Sequence, residues 1–568
     1  MRAVVVFFAF GVVSLIVYLV AAVGQVSPGT AAPAKVAESE NLDESVARVN
    51  EWFRRQWGKE QLTPASPADD LTILRRLSLA MIGTVPSMEE IRSFEADPGS
   101  DRISRWTLKY LKDPRFADYF SERLARSLVG VEQGPFIVYR RDRLTSWLSE
   151  QIQADVPWSE TVTQLIASEG LWTDSPAANF ITVARIDDES EFDENRLAGR
   201  TVRAFLGQRI DCAQCHDHKF DERWKQADFE GLAAFFCQAR LTIGGVTDKQ
   251  MNDDNQPVVY KVMTPGQDDD PGREVTPVVP FHPEWVTPGG SLRAQFASWV
   301  THPENRRFDR AISNRVWGLM FGKPWYAPVD DLKHPEQLAE EDALDVLGTE
   351  FHKHGRKLSV LIRLIVESDV FRLDSQSNPE IDPVDEKTYA RQLEHWSVYP
   401  LVRLRPEQVI GSMFQSGSVR TIDQNSHPFI RLLRLTNESD FLKEYGDLGD
   451  DELLQQVGTI PQSLMRMNGR FTQEFTKTDP AALTASSHIL RYSADDAAVV
   501  ENCFLACLSR RPSPEETAFF VEYLQYKPDQ SGSGIGLKIA PDELPNRHQR
   551  VQDLYWSLFN SPEFSWNH

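Results

Sequence analysis

Apolar residues recur at three- and four-residue steps through most of this 568-residue chain. That spacing lines one face of a helix, not one face of a strand. Val46, Val49, Trp52 and Phe53 follow it, then Leu71, Leu74, Leu77 and Met81, with Asp69-Asp70 as helix-start residues and Gly83 as the stop. Ser87-Met88-Glu89-Glu90 reads as a capping box ahead of Ile91 and Phe94. The same periodicity predicts helices over 106–111, 116–128, 144–152, 158–166, 197–206 and 229–236, and again over 296–300, 310–321, 339–351, 358–366, 406–414, 497–508 and 550–559. A further element starts in 387–393, and 414–492 gives no clear pattern. Between the two helical runs, 244–290 is rich in Pro, Gly and Asp and holds two strand-like runs, 258–260 and 275–281. The expected fold is therefore mainly α: a helical domain over 42–243, a β-containing or irregular connection over 244–290, and a second helical domain over 291–568.

The N-terminus differs from all of this. After Met1-Arg2 an uncharged apolar run covers 3–24, and no charge follows until Lys35. About 20 apolar residues suffice to cross a bilayer. One Arg ahead of the run is the pattern of an export signal that leaves the N-terminus inside and the body outside. Residues 1–24 are expected to form an uncleaved single-pass anchor in the cytoplasmic membrane. Residues 25–41, rich in Ala, Pro, Gly and Ser, form its tether. The body is then periplasmic. Its net charge of -22 argues against nucleic acid as a partner.

Five cysteines are too few for a disulfide scaffold, and two of them stand in Cys212-Ala213-Gln214-Cys215-His216-Asp217-His218. C-x-x-C-H is the attachment signature of a c-type haem. Two thiols two residues apart on a turn can each add to one vinyl group, and the adjacent His216 is then placed as axial ligand of the iron. Three other chemistries use the same residues: a redox dithiol, a structural disulfide, and zinc or another metal held by Cys212, Cys215, His216 and His218. A zinc ribbon would need a second C-x-x-C, which the chain lacks. The expected cofactor is one covalent haem c, with zinc or another metal as the alternative, and with His216 and His218 as the histidine ligand candidates. Met251, Met263, His282, Met465 and Met467 are candidates for the opposite axial position. Haem of this type is attached outside the cytoplasmic membrane, so the motif and the N-terminal run support each other.

Elsewhere the chain is plainer. Cys503 and Cys507, four apart on one helical face, read as two buried thiols, and Cys237 as a third. Arg315 is expected to pair with Asp330 or Asp331. Asp253-Asp254 and 268–270 read as solvated loop charges without EF-hand spacing. No G-x-S-x-G, H-E-x-x-H, P-loop or G-x-G-x-x-G is present, so no reaction is assigned.

Several stretches together resemble a known pair of domains. Leu74-Arg75-Arg76, Gly83-Thr84-Val85-Pro86, Phe205-Leu206-Gly207-Gln208, the run from Cys212 to Phe220, and Asp228-Phe229-Glu230-Gly231-Leu232-Ala233-Ala234-Phe235-Phe236 resemble the planctomycete cytochrome-like domain. Asn314-Arg315-Val316-Trp317, Phe321-Gly322, Arg403-Leu404-Arg405-Pro406-Glu407-Gln408, Pro461-Gln462-Ser463-Leu464, Leu508-Ser509-Arg510-Arg511-Pro512 and Asn560-Ser561-Pro562-Glu563-Phe564 resemble the planctomycete-specific domain that usually follows it. The resemblance implies an exported protein acting beside an exported partner, and it names no reaction. The function expected is a membrane-anchored, extracytoplasmic c-type haem protein exchanging electrons with such a partner. The alternatives are a structural or interaction protein with a Cys/His metal site, and an extracytoplasmic enzyme acting on carbohydrate polymers.

Overall fold

Short polar residues standing just before the apolar repeats start the helices. Asp69 accepts from the backbone of Leu71 and Thr72 and opens α2, Asp70–Ile82, behind α1, Asp43–Lys59. Ser87 and Glu90 form a reciprocal capping box at α3, Met88–Glu95. Asp113, with Pro114 at the first helical position, opens α5, Pro114–Val129, after α4, Arg102–Leu111. The series continues with α6, Arg141–Gln153; α7, Trp158–Ala167; α8, Asn179–Thr182; α9, Glu194–Leu206; and α10, Gln226–Ala233. These are properties of a computed structural model. It describes residues 41–568 apart from 100, 132–138, 140, 187–189, 218–223, 264–270, 378–384, 427–440, 447–448, 450–452, 454–457, 479–483 and 527–545. The expected anchor, 1–24, and all but the last residue of the expected tether, 25–41, lie outside the described residues. Among those described, no helix is long and apolar enough to cross a membrane.

Between the helical runs the chain makes two small antiparallel ladders. One joins β1, Ala239–Thr242, to β2, Gly245–Asp248; the other joins β3, Tyr260–Val262, to β4, Arg273–Val275, with Tyr260 opposite Val275. The strand expected over 275–281 therefore ends where it was to begin. Pro277 and Pro280 remove the backbone donors a longer ladder would need.

Helices resume with α11, Leu292–Val300, and α12, Arg306–Phe321. Every residue of α12 after Arg306 is buried. Two of its charges, Asp309 and Arg310, are paired within the core. Asp309 meets Arg356 through both carboxylate oxygens at 2.7 and 2.8 Å, and Arg310 meets Asp342 at 2.7 and 2.9 Å. Around it lie α13, Ala343–Lys353; α14, Leu358–Val366; α15, Asp369–Arg372; and α16, Glu386–Glu394. One cluster of buried apolar side chains takes members from both sides of 244–290, among them Leu74, Phe120, Phe205, Trp299, Trp317 and Phe371.

A second cluster forms around α17, Pro406–Gly417; α20, Ala485–Tyr492; α21, Asp496–Leu508; and α23, Arg547–Asn560, and it includes Leu79 and Val85 from the α2–α3 corner. Helices α18, Ile460–Asn468, and α19, Arg470–Thr476, lie in the stretch without a clear sequence pattern. Helix α22, Pro514–Gln525, was not anticipated, although Ser513, Pro514 and Glu516 give a capping box that the sequence displays. A short ladder pairs β5, Val402–Arg403, with β6, Trp566–Asn567.

Candidate functional site

The C-x-x-C-H segment sits on the connection between α9 and α10, as its flanking periodicity predicted. Helix α9 buries Leu197, Ala198, Val202, Phe205 and Leu206. It ends at Gly207, whose φ of 63° is left-handed and open to glycine at little cost. The Gly207 carbonyl accepts from Leu332 at 2.7 Å, and the Gln208 amide donates to the Leu332 carbonyl. Gln208 in turn accepts from the Trp224 indole at 2.9 Å. The two ends of the segment are thus tied to one another and to the chain at 332.

The segment itself is a 3-10 turn over Asp211–Gln214. Ala213 donates to Ile210 at 2.8 Å, and Cys215 and His216 donate to the Cys212 carbonyl at 3.3 and 3.4 Å. Ile210 and Ala213 are fully buried, whereas Cys212, Cys215 and His216 are exposed. Gly199 on α9 allows the close approach, since a Cβ there would stand 2.8 Å from an Asp211 carboxylate oxygen. On the far side, Asp217 accepts from the Gln226 backbone at 3.0 Å, and Gln226 donates to the Gln214 carbonyl at 3.3 Å. The Gln226 backbone donor, foremost, and Lys225 hold the Asp217 carboxyl below its ordinary pKa.

Cys212 lies in the turn and Cys215 caps its end, three residues on, and both are free thiols. The His216 Nδ1 lies 2.8 Å from the Asp217 carbonyl oxygen. A carbonyl only accepts, so this contact assigns the proton to Nδ1 and leaves the Nε2 lone pair available. Histidines that bind metals are commonly oriented by such a bond. The donor set thus fits covalent haem: two accessible thiols three residues apart and an imidazole with its ligating nitrogen available. The described partner of the ring is Asp217. His218 lies outside the described residues. Among those described, no three His, Cys, Asp or Glu side chains converge to hold a metal ion.

Of the candidates for the opposite axial position, Met251, Met263 and Met467 are exposed, and Met465 packs against the second apolar cluster. Among the described residues, only His282 belongs to a segment in ring contact with the motif's surroundings. Its neighbour Phe281 stands edge-on to Trp224 at 6.3 Å, and His282 itself stacks on Trp285 at 4.1 Å. Among the described residues, none of these side chains shares a hydrogen bond, ion pair or ring contact with His216.

One further expectation resolves here, and the partners of Asp330 come into view. Cys503 and Cys507 are buried free thiols, and burial pushes both well above the usual thiol range. Asp330 takes Arg203 and Arg209, the latter at 2.7 Å. Burial alone would raise its carboxyl; the two guanidinium groups outweigh burial and hold it low. Sequence spacing offered no signal for this pairing, because the partners lie more than 100 residues away on the two sides of Gly207.

Two family models match the chain in the expected order. PSCyt2, described as a protein of unknown function (DUF1549), matches residues 48–240, and PSD1, described as a protein of unknown function (DUF1553), matches residues 292–431. The first holds the C-x-x-C-H turn and its name hints at a cytochrome-like domain; the second ends within the 291–568 segment. No curated protein and no solved structure matches the chain.

Proposed function

We propose that Cys212 and Cys215 attach one c-type haem, that His216 ligates its iron through Nε2, and that the protein exchanges electrons with an exported partner. One observation carries this reading: two exposed free thiols three residues apart at a single turn, beside an imidazole whose Nδ1 is already committed to the Asp217 carbonyl. Bound haem supplies one-electron exchange. The chain's own residues hold and orient. Ile210 and Ala213 anchor the turn in the core, while the Asp217 carbonyl fixes the ring's tautomer and its plane. The exposure of the motif suits exchange with a partner rather than chemistry in a closed cavity. In this reading residues 1–24 tether the body to the outer side of the cytoplasmic membrane.

The test is a haem-stained denaturing gel with an absorption spectrum. The full chain is exported from a host with a c-type maturation system, beside a Cys212→Ala/Cys215→Ala control. Haem that survives denaturation in the parent and is lost in the control is the expected result. A colourless, fully exported protein sinks the reading. If that colourless protein carries stoichiometric zinc or another metal lost in the same control, the Cys212, Cys215, His216 and His218 cluster is a metal site instead.

A further inference from the structure

Helix α18 presents an apolar face to solvent. Ile460, Leu464 and Met467 recur at four- and three-residue steps, which puts them on one side of the helix. They are 77%, 52% and 40% exposed, and no residue of the helix is buried. A helix of nine residues is marginal without tertiary packing, so an outward apolar face is a cost unless something covers it. The Trp556 indole extends the face, since its Nε1 donates to the Met467 carbonyl at 2.9 Å while its ring stays partly exposed.

The flank of the same helix carries a second oddity. Arg466 has its Nε and Nη1 shut off from water with no hydrogen-bond acceptor. Among the described residues its electrostatic neighbours are Tyr445 and a second cation, Arg403, with no carboxylate. Arg403 donates to the Tyr445 hydroxyl at 3.2 Å and lies against Gly458, two residues before the helix. Buried guanidinium donors without acceptors cost free energy. In a chain of net charge -22, two adjacent cations without a described carboxylate form a local positive spot beside an apolar face. A planar carboxylate is the complement a guanidinium fork takes up best.

We propose that the outer face of α18 is a docking surface for an acidic, apolar peptide segment of a partner protein. The partner's apolar side chains cover Ile460, Leu464, Met467 and Trp556, and its carboxylate reaches Arg403 and the remaining Arg466 nitrogen, Nη2, which is not among the buried atoms. A two-fold contact with a second copy is the poorer occupant, because it would set Arg466 and Arg403 against their own counterparts with no acid supplied. The proposal is independent of whether haem is bound.

The probe is a displayed library of random dodecapeptides selected on the full-length protein, with the selected peptides then synthesised and titrated. The expected result is enrichment of peptides combining Asp or Glu with large apolar residues. Leu464→Ser and Arg466→Gln should each weaken them at least tenfold, about 1.4 kcal/mol. Leu464 is half-exposed, so its substitution leaves the fold intact; Arg403→Gln stands in for Arg466→Gln if that variant misfolds. No enrichment, enrichment of basic peptides, or equal binding to parent and variants would each overturn the proposal. So would a dimer in sedimentation that Leu464→Ser dissolves, or competition by inorganic phosphate that is indifferent to Leu464.

Discussion

Glu407 shows how much one side chain carries in this body. Its carboxylate is buried between Arg123, at 2.9 Å, and Arg405, at 2.7 Å, with the Tyr119 hydroxyl donated to by Arg405. Burial alone would raise its pKa; Arg123 and Arg405 outweigh it and hold the group at about 2. The folded value lies below the unfolded one, so the stabilisation is fully present above pH 4.5 and is lost as pH falls toward 2. A shift of that size corresponds to roughly 3 kcal/mol. Glu407→Gln should destabilise by about 3–5 kcal/mol in urea at neutral pH, because two buried cations lose their shared anion. An unchanged midpoint would show that Arg123 and Arg405 find other acceptors. No sequence pattern announced this triad: Glu407 reads only as a helix-start residue after Pro406, and its partner Arg123 lies in another helix.

At the scale of elements, the helices were legible because their caps and apolar periods are local properties. Asp69, Ser87, Asp113 and Gly207 each mark a boundary within a residue or two of where it falls. The placement of the C-x-x-C-H turn between two helices followed from the same signals. What was not legible is how elements meet. Helix α17 seats against the α2–α3 corner by contacts the chain brings together from far apart: Gln408 donates to the Leu79 carbonyl at 3.0 Å, and Ser412 accepts from Val85 at 3.2 Å. Gly411 permits this approach, since a Cβ there would stand 2.8 Å from the Gly83 carbonyl oxygen. Gly411→Val should therefore cost about 1–3 kcal/mol by overpacking, read as a lower urea midpoint, while the haem content that the proposed function expects stays at the parental level. Haem loss in proportion to the stability loss would mean that the C-x-x-C-H turn depends on this junction. The α18 face was missed for a related reason. Periodicity predicts which side of a helix is apolar, but burial is decided by what the rest of the chain brings to it.

The whole molecule is closed by a device in which two adjacent arginines of one helix gather distant backbone. Arg76 of α2 donates to the main-chain oxygens of Phe371, Leu373 and His568 at 3.1, 2.7 and 2.7 Å, and its guanidinium lies 3.5 Å from the centre of the Tyr399 ring. Arg75 donates to Cys507, Glu563 and Phe564. Burial lowers both arginines to about 10, still far above neutral pH, so both act as fixed cations. His568 sits beside them. Burial first, then Arg75 and Arg76, push its imidazole down to about 4. A base whose folded pKa lies below its unfolded value is held neutral by the fold. Its stabilisation is therefore fully present above pH 6.5 and is lost as pH falls through 4, a loss on the order of 3 kcal/mol. That window opens above the one governed by Glu407, so mild acid should act first where His568 is held. Stability measured by urea unfolding should fall between pH 6.5 and 4, with amide exchange quickening early at Val402 and Asn567, where β5 pairs with β6. His568→Phe removes the titrating group while keeping an aromatic ring, and should flatten the upper part of that profile and leave the lower part in place. A parent and variant with parallel profiles through that range would show instead that protonated His568 is accommodated beside two guanidinium groups, and that the clamp on α2 does not sense acid.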